Sequence, residues 1–456
     1  MFTTKLKMLY KYVTATLSTL LLALLIGCNG ADSPKGVSPS PDPDASKSSE
    51  PENALKVIEK PDQPLTVAET NPIPGSQQSV DQYLKGLSSK GMTKSNQGIW
   101  MESGDTLLAN HQGTIPLPAA SLTKAATTLA ALSTLGPDHQ FITKFSATGP
   151  IENGVLQGDL VVEGSEDPFF VWEEAIAVGN QLNQLGIKQV TGNLVIVGKF
   201  YMNFETLPLK AGTLLKQGLN GKSWPPAAET QYQTLPPGTP RPEIAIAGSV
   251  QVVASPPDNL QPLVRQYSFP LAELLKKMNR YSNNKMAEML ANTAGGAKVV
   301  ARKAAEAAGV PQSEITLING SGLGEENRMS PRAVTAVFLA IERYLQQYNM
   351  TVADVFAIVG QDKGILNERP LPNLAVVKSG SLNYVSTLAG ALPTQTYGTV
   401  WFAVMNSGGD YTKFRTQQEM LLKELVTKWG VVQSLPPDIK PSPQRIGKRS
   451  FSEIVR

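Results

Sequence analysis

The 456 residues include 41 lysines and arginines against 38 aspartates and glutamates, a formal net charge of +3. That balance gives no electrostatic reason to expect a nucleic-acid partner, and the length allows two or three domains, each with its own core. Two histidines and one cysteine are too few for a His/Cys metal centre. They also leave His111 and His139 as the only bases open to a Ser-His-Asp triad, so a lysine is the more natural partner for a serine nucleophile. No metal and no cofactor are expected.

Lys5, Lys7 and Lys11 precede an apolar run from Ala15 to Ile26 that is short for a bilayer span, the layout of an export signal over residues 1–28. The run closes on Leu25-Ile26-Gly27-Cys28, and Cys28 is the expected lipidation site. An ordinary signal that happens to contain a cysteine is the plainer alternative. Residues 29–79, rich in Pro, Ser, Asp, Glu and Lys, read as a disordered tether.

Folding is expected to begin near Val80. Short β-like runs on either side of Ser103-Gly104-Asp105 predict a hairpin over Gln97 to Asn110. Ser121 then opens a helix whose exit is Gly136-Pro137, glycine just past the last turn and proline after it. Lys124 stands three residues after Ser121, one turn along the same face. Such a pair can serve as nucleophile and base, although the spacing alone is common by chance.

From 141 to 264 short strands dominate around one helix, Trp172 to Leu185, and the Gly/Pro-rich stretch from Pro208 to Pro242 reads as a long surface loop. Helical periodicity returns at Pro270, at Ser282, over Ala297 to Ala308, and after Ser330-Pro331, which reads as a cap followed by the first helical residue. Apolar strands are expected over Leu374 to Val377, Val385 to Ala391 and Thr399 to Met405, and Asp410 to Trp429 reads as a last amphipathic helix. Residues 431–456 read as a basic flexible tail. The pattern predicts an α+β fold: a sheet built from both chain ends, helices between, and an inserted β-rich module.

Three further stretches carry polar groups that such a serine-lysine site needs. Ser282-Asn283-Asn284 follows Met278-Asn279-Arg280-Tyr281 at a helix start, where plain capping would also place serine and asparagine. Lys378-Ser379-Gly380-Ser381 ends an apolar strand, as a simple turn would. Asn319-Gly320-Ser321-Gly322-Leu323-Gly324, followed by Asn327, Ser330 and Pro331, would also build a tight turn.

In that order, serine-x-x-lysine, serine-x-asparagine and lysine-serine-glycine resemble the three motifs of penicillin-recognising serine enzymes. Over residues 80–430 the chain is most similar to the low-molecular-mass class C penicillin-binding proteins, D-alanyl-D-alanine carboxypeptidases/endopeptidases. Leu135-Gly136-Pro137-Asp138, Gly158-Asp159-Leu160 leading to Asp167-Pro168, Gly192-Asn193-Leu194 and Leu388-Ala389-Gly390 also resemble that family. The resemblance implies a penicillin-binding-protein/β-lactamase-like transpeptidase domain, an antiparallel sheet flanked by helices, over 80–140 and 265–430. The inserted module would occupy 141–264.

Residue by residue, the resemblance implies catalytic roles for Ser121, Lys124 and Ser282. Asn284, Lys378, Ser379, Gly380 and Ser381 would bind substrate. Ser379 stands where the family usually has threonine, and Asn319 replaces the usual aspartate. The insertion is also short, as if one of two inserted domains were reduced, and Glu205 is the nearest candidate for its diamino-acid-reading acid. Tyr281-Ser282-Asn283 fits the tyrosine-x-asparagine motif of another β-lactamase class, but the flanking Met278-Asn279 and Ala287-Glu288-Met289-Leu290 follow the carboxypeptidase pattern.

The implied partners are peptidoglycan stem peptides, β-lactams as covalent inhibitors, and a membrane reached through the N-terminal lipid. The implied location is the cell envelope outside the cytoplasm. A β-lactamase shares the three motifs, but the span from Lys124 to Ser282 is long for its compact classes. A non-catalytic wall-binding or β-lactam-sensing lipoprotein is the other alternative, and the intact polar set argues against it.

Overall fold

The computed structural model describes residues 60–455, apart from 69 and 446; the expected signal, Cys28 and most of the expected tether lie outside them. In chain order the principal elements begin with α1 (Pro74–Ser88), β1 (Gln97–Ser103), β2 (Thr106–His111) and α2 (Thr123–Leu135). Next come β3 (Ile142–Ala147), β4 (Leu160–Glu163), α3 (Trp172–Gln184), β5 (Leu194–Val197), α4 (Pro208–Gly218) and α5 (Pro226–Tyr232). β6 (Val250–Val253), β7 (Gln261–Tyr267), α6 (Leu271–Tyr281), α7 (Asn284–Thr293), α8 (Ala297–Ala308) and α9 (Pro331–Gln346) follow. The chain closes with β8 (Val376–Leu382), β9 (Val385–Thr394), β10 (Gly398–Ser407), α10 (Tyr411–Trp429) and β11 (Phe451–Ile454).

The main sheet runs β8-β9-β10-β1-β2, antiparallel throughout, with the short strand Ala357–Ile358 beside β8. Both faces are buried, which is why its strands read as near-continuous apolar runs. Leu388, Phe402 and Val404 face a core shared with α1 and α10. Their neighbours Ala389, Ala403 and Met405 face the helices α2 and α6–α9. Each large side chain that α10 contributes, such as Phe414 or Leu422, adds roughly 1.5–3 kcal/mol by leaving water. Every residue of α2 from Thr123 to Leu132 is buried. An apolar helix without a wet face belongs in the middle of a layer, and its alanines and threonines let α6–α9 close around it.

The inserted module is mixed rather than merely β-rich. Its larger sheet has the order β6-β5-β4-β3-β7-β11; β5 is parallel to both β4 and β6, and the other pairs are antiparallel. Gly158 and Gly192 meet back to back, with Asp159 Oδ1 accepting the Asn193 N–H at 2.6 Å. The stretch from Pro208 to Pro242 is not one loop. Pro208 and Pro226 start α4 and α5, where a proline has no N–H to lose.

Other boundaries also move. Helix α1 starts six residues before Val80 and buries Ser76 and Ser79, so the last part of the expected tether is folded. Strand β7 carries the module to Tyr267. The expected basic tail is structured in part: Ile439 is fully buried, Ser442 N–H bonds Asp354 at 3.0 Å, and Arg445 pairs with Asp138. Beyond them β11 adds an antiparallel strand to β7. None of the described helices is long and apolar enough to cross a membrane.

Candidate active site

The site forms where the N-terminus of α2, the α6–α7 junction, the loop before α9 and strand β8 converge. Ser121 lies in a short 3-10 turn, Ala120–Leu122, that runs into α2. Ala120 before it has φ +47, a left-handed conformation that costs a residue with a Cβ. Clamps hold it there: the Thr387 hydroxyl donates to Ala119 O at 3.0 Å and the Ala119 N–H to Asn327 O at 2.8 Å. Two glycines press against this turn. A Cβ on Gly380 would stand 2.7 Å from Ser121 N, and one on Gly322, at φ +83, would stand 1.8 Å from Ala120 O.

Lys124 is fully buried. Its Nζ lies 2.9 Å from Ser121 Oγ, 2.8 Å from Asn284 Oδ1 and 2.7 Å from Ser321 O. Three acceptors satisfy an ammonium; a neutral amine would keep two of them and turn its lone pair to the third. Burial lowers its pKa to about 7, against the pull of the Glu288 carboxylate, which favours the charged form. Glu288 is also tied down, accepting Gly320 and Ser321 N–H at 3.0 Å each. The expected tight turn at Asn319 therefore hands its Ser321 carbonyl to the lysine.

Ser282 does not open a helix. It ends α6 in the left-handed region, φ 50 and ψ 41, and the N-cap of α7 is Asn283, whose Oδ1 accepts Met286 N–H at 3.0 Å. A serine held at positive φ between two helices keeps its hydroxyl aimed inward. There Lys378 Nζ donates to Ser282 Oγ at 3.0 Å. Lys378 is itself buried, and its pKa is driven well down by burial and by the repulsion of Lys124. Lys378-Ser379-Gly380-Ser381 is not a strand end but the body of β8, which runs on to Leu382. The short neighbour pairs only with Val376 and Val377, so the edge of β8 from Lys378 onward is open toward Ser121.

Ser121, Lys124, Ser282, Asn284, Lys378 and Gly380 are thus brought together, with Ser379 and Ser381 on the same strand. Glu205 is not joined to them by any contact among the described residues. Its carboxylate accepts the Thr206 and Leu207 N–H groups at 2.9 Å each, just before α4. Sequence reasoning missed Glu288, although it lies four residues after Asn284 and so on the same helical face. It also missed Thr127, whose hydroxyl donates to Gly320 O at 2.7 Å. No single residue could have revealed that contact.

The model of the D-Ala-D-Ala carboxypeptidase 3 (S13) family matches residues 77–201 and 241–426. The chain belongs to this family. Its membership makes it a serine-type D-Ala-D-Ala carboxypeptidase, a hydrolase. The unmatched stretch between the two segments holds Glu205, α4 and α5.

The chain is 22% identical over 386 residues to D-alanyl-D-alanine carboxypeptidase DacB of Haemophilus influenzae, covering 62% of this chain and 79% of that protein. In fold it is similar to Bd3459, a predatory peptidoglycan endopeptidase from Bdellovibrio bacteriovorus. The TM-score is 0.64 at 21% identity, covering 78% of this chain and 98% of that one. That endopeptidase has also been solved acylated by penicillin G. Penicillin-binding protein 4 from Haemophilus influenzae gives a TM-score of 0.54 at 18% identity, over 75% and 99% of the two chains. The α+β transpeptidase-like fold expected from the sequence is what these structures share.

Proposed function

We propose that this S13 carboxypeptidase cleaves the terminal D-Ala-D-Ala bond of peptidoglycan stem peptides, and D-Ala cross-links, through an acyl-enzyme at Ser121. The observation that carries this reading is the buried Lys124, within 3 Å of both Ser121 Oγ and Asn284 Oδ1. As a neutral amine, Lys124 takes the Ser121 proton while Oγ attacks the penultimate D-Ala carbonyl. The Ser121 and Ser381 N–H groups receive the oxyanion, and the helix N-terminus behind Ser121 adds a favourable dipole.

Ser282, whose Oγ accepts from Lys378 Nζ, relays the proton taken up by Lys124 to the leaving amine, which returns Lys124 to its neutral form. Asn284 holds the substrate amide and keeps Lys124 in place. The Ser379 hydroxyl faces the terminal carboxylate, and Lys378 serves Ser282 first. Water then releases the acyl group. β-Lactams acylate the same serine, and the work is done in the cell envelope after export, with Cys28 as lipid anchor.

The test is release of D-alanine from a diacetylated L-Lys-D-Ala-D-Ala peptide. The wild-type protein releases it and Ser121→Ala does not. Release that survives Ser121→Ala would overturn the assignment.

A further inference from the structure

Arg415 stands in the second turn of α10 and has no carboxylate partner among the described residues. Its Nη2 donates to Ser381 Oγ at 2.8 Å, and the guanidinium lies 5.0 Å from the centre of the Tyr411 ring. Its Nε is buried without an acceptor. Among the described residues no carboxylate pairs with Arg415: Glu419, its neighbour one turn on, is taken by Arg369 at 2.7 Å. A partly buried guanidinium with free donors and no counter-charge is built to receive an anion.

The strand decides where that anion lies. Residues two apart on a strand share a face, so Ser379 and Ser381 lie on the face of Val377, which packs in the core that includes Phe414 of α10. Lys378 and Gly380 belong to the other face, toward Ser121. The Lys378 Nζ is committed there, to Ser282 Oγ at 3.0 Å and Ser379 O at 2.5 Å. It also sits in a buried site beside Lys124 that disfavours its charge. The guanidinium offers its donors in a planar fork that matches a carboxylate.

Resting on the function proposed above, we infer that Arg415 is the specificity-determining cation for the substrate's terminal carboxylate, steadied by the Ser381 hydroxyl and assisted by that of Ser379. Lys378 is then released from that task to serve Ser282.

The experiment compares wild type, Arg415→Gln and Arg415→Lys on two peptides, diacetyl-L-Lys-D-Ala-D-Ala and the same peptide with its terminal carboxylate amidated. The ratio of kcat/KM on the two is internal to one sample, so it does not depend on how much of a variant is folded. Arg415→Gln lowers kcat/KM on the free carboxylate roughly 30-fold, mostly through KM, as loss of a charged hydrogen-bond partner does. Activity on the amide stays within about twofold, and Arg415→Lys recovers most of the ratio.

An unchanged ratio in Arg415→Gln, or an equal fall on both peptides, overturns the inference and leaves Arg415 structural. A wild-type protein that cleaves neither peptide contradicts the peptidase reading instead. The Arg415 ratio is then measured as acylation by benzylpenicillin against acylation by its methyl ester. A ratio that falls in Arg415→Gln supports the carboxylate role, and an unchanged ratio overturns it.

Discussion

Replacing Lys124 with methionine lowers the acylation rate about 10³–10⁴-fold while leaving the fold intact. Methionine fills the same buried slot but can neither take the Ser121 proton nor bond Asn284 Oδ1 and Ser321 O. The expected loss is the scale of a general base removed from a nucleophile it directly contacts. The same residue sets the pH dependence. Its folded pKa is lowered to about 7, and the active form is the neutral amine. Acylation therefore rises with pH up to about 7 and levels off above, and falls about tenfold per unit well below it. Glu288 holds that pKa up, so Glu288→Gln moves the rising limb to lower pH. Stopped-flow acylation with a chromogenic cephalosporin across pH 5–9, a range of about two units either side of that limb, reads all three proteins.

Gly322→Ala is the second large effect, and it acts through backbone rather than chemistry. The added Cβ would fall 1.8 Å from Ala120 O, at a φ of +83 that an L side chain rarely adopts. Both strains act on the turn that aims Ser121. They cannot be relieved by a rotamer change, because the colliding atom is a backbone carbonyl oxygen, that of Ala120, next to the clamped Ala119. A destabilisation of about 3 kcal/mol is expected, with acylation down by roughly 10²-fold as the nucleophile shifts. Urea unfolding with an unchanged m-value, alongside acylation of the folded fraction, checks both parts. Gly104→Ala is the control, since its Cβ meets nothing within 4 Å although its φ is also positive.

How much is legible in the sequence follows from which residues act locally. Ser121 and Lys124 share one helix turn, so their meeting is visible in the spacing. The hairpin at Ser103-Gly104-Asp105 and the exit at Gly136 are legible for the same reason, since turn chemistry is local. Ser282 reads as a helix start because serine caps helices so readily; in the fold the cap is Asn283, and only the packing of α6 against α7 puts Ser282 at positive φ. Strand β8 reads as ending at Val377 because its continuation is polar, and it is polar because its open edge faces the site. Pro208 and Pro226 look like breakers and are helix starts. β11 has no apolar run to announce it, only an edge to pair with. Glu288 lies one helical turn after Asn284 and is within reach of the helical period, whereas Arg415 meets Ser381 only through the packing of α10 beside β8. No single-sequence period encodes that.

The proposed mechanism forms one covalent bond, at Ser121. Intact-mass analysis after incubation with benzylpenicillin, followed by peptide mapping, tests it most directly. A single penicilloyl adduct is expected, located on the peptide that contains Ser121 and absent from Ser121→Ala. An adduct on a peptide lacking Ser121, or one that persists in Ser121→Ala, would contradict it.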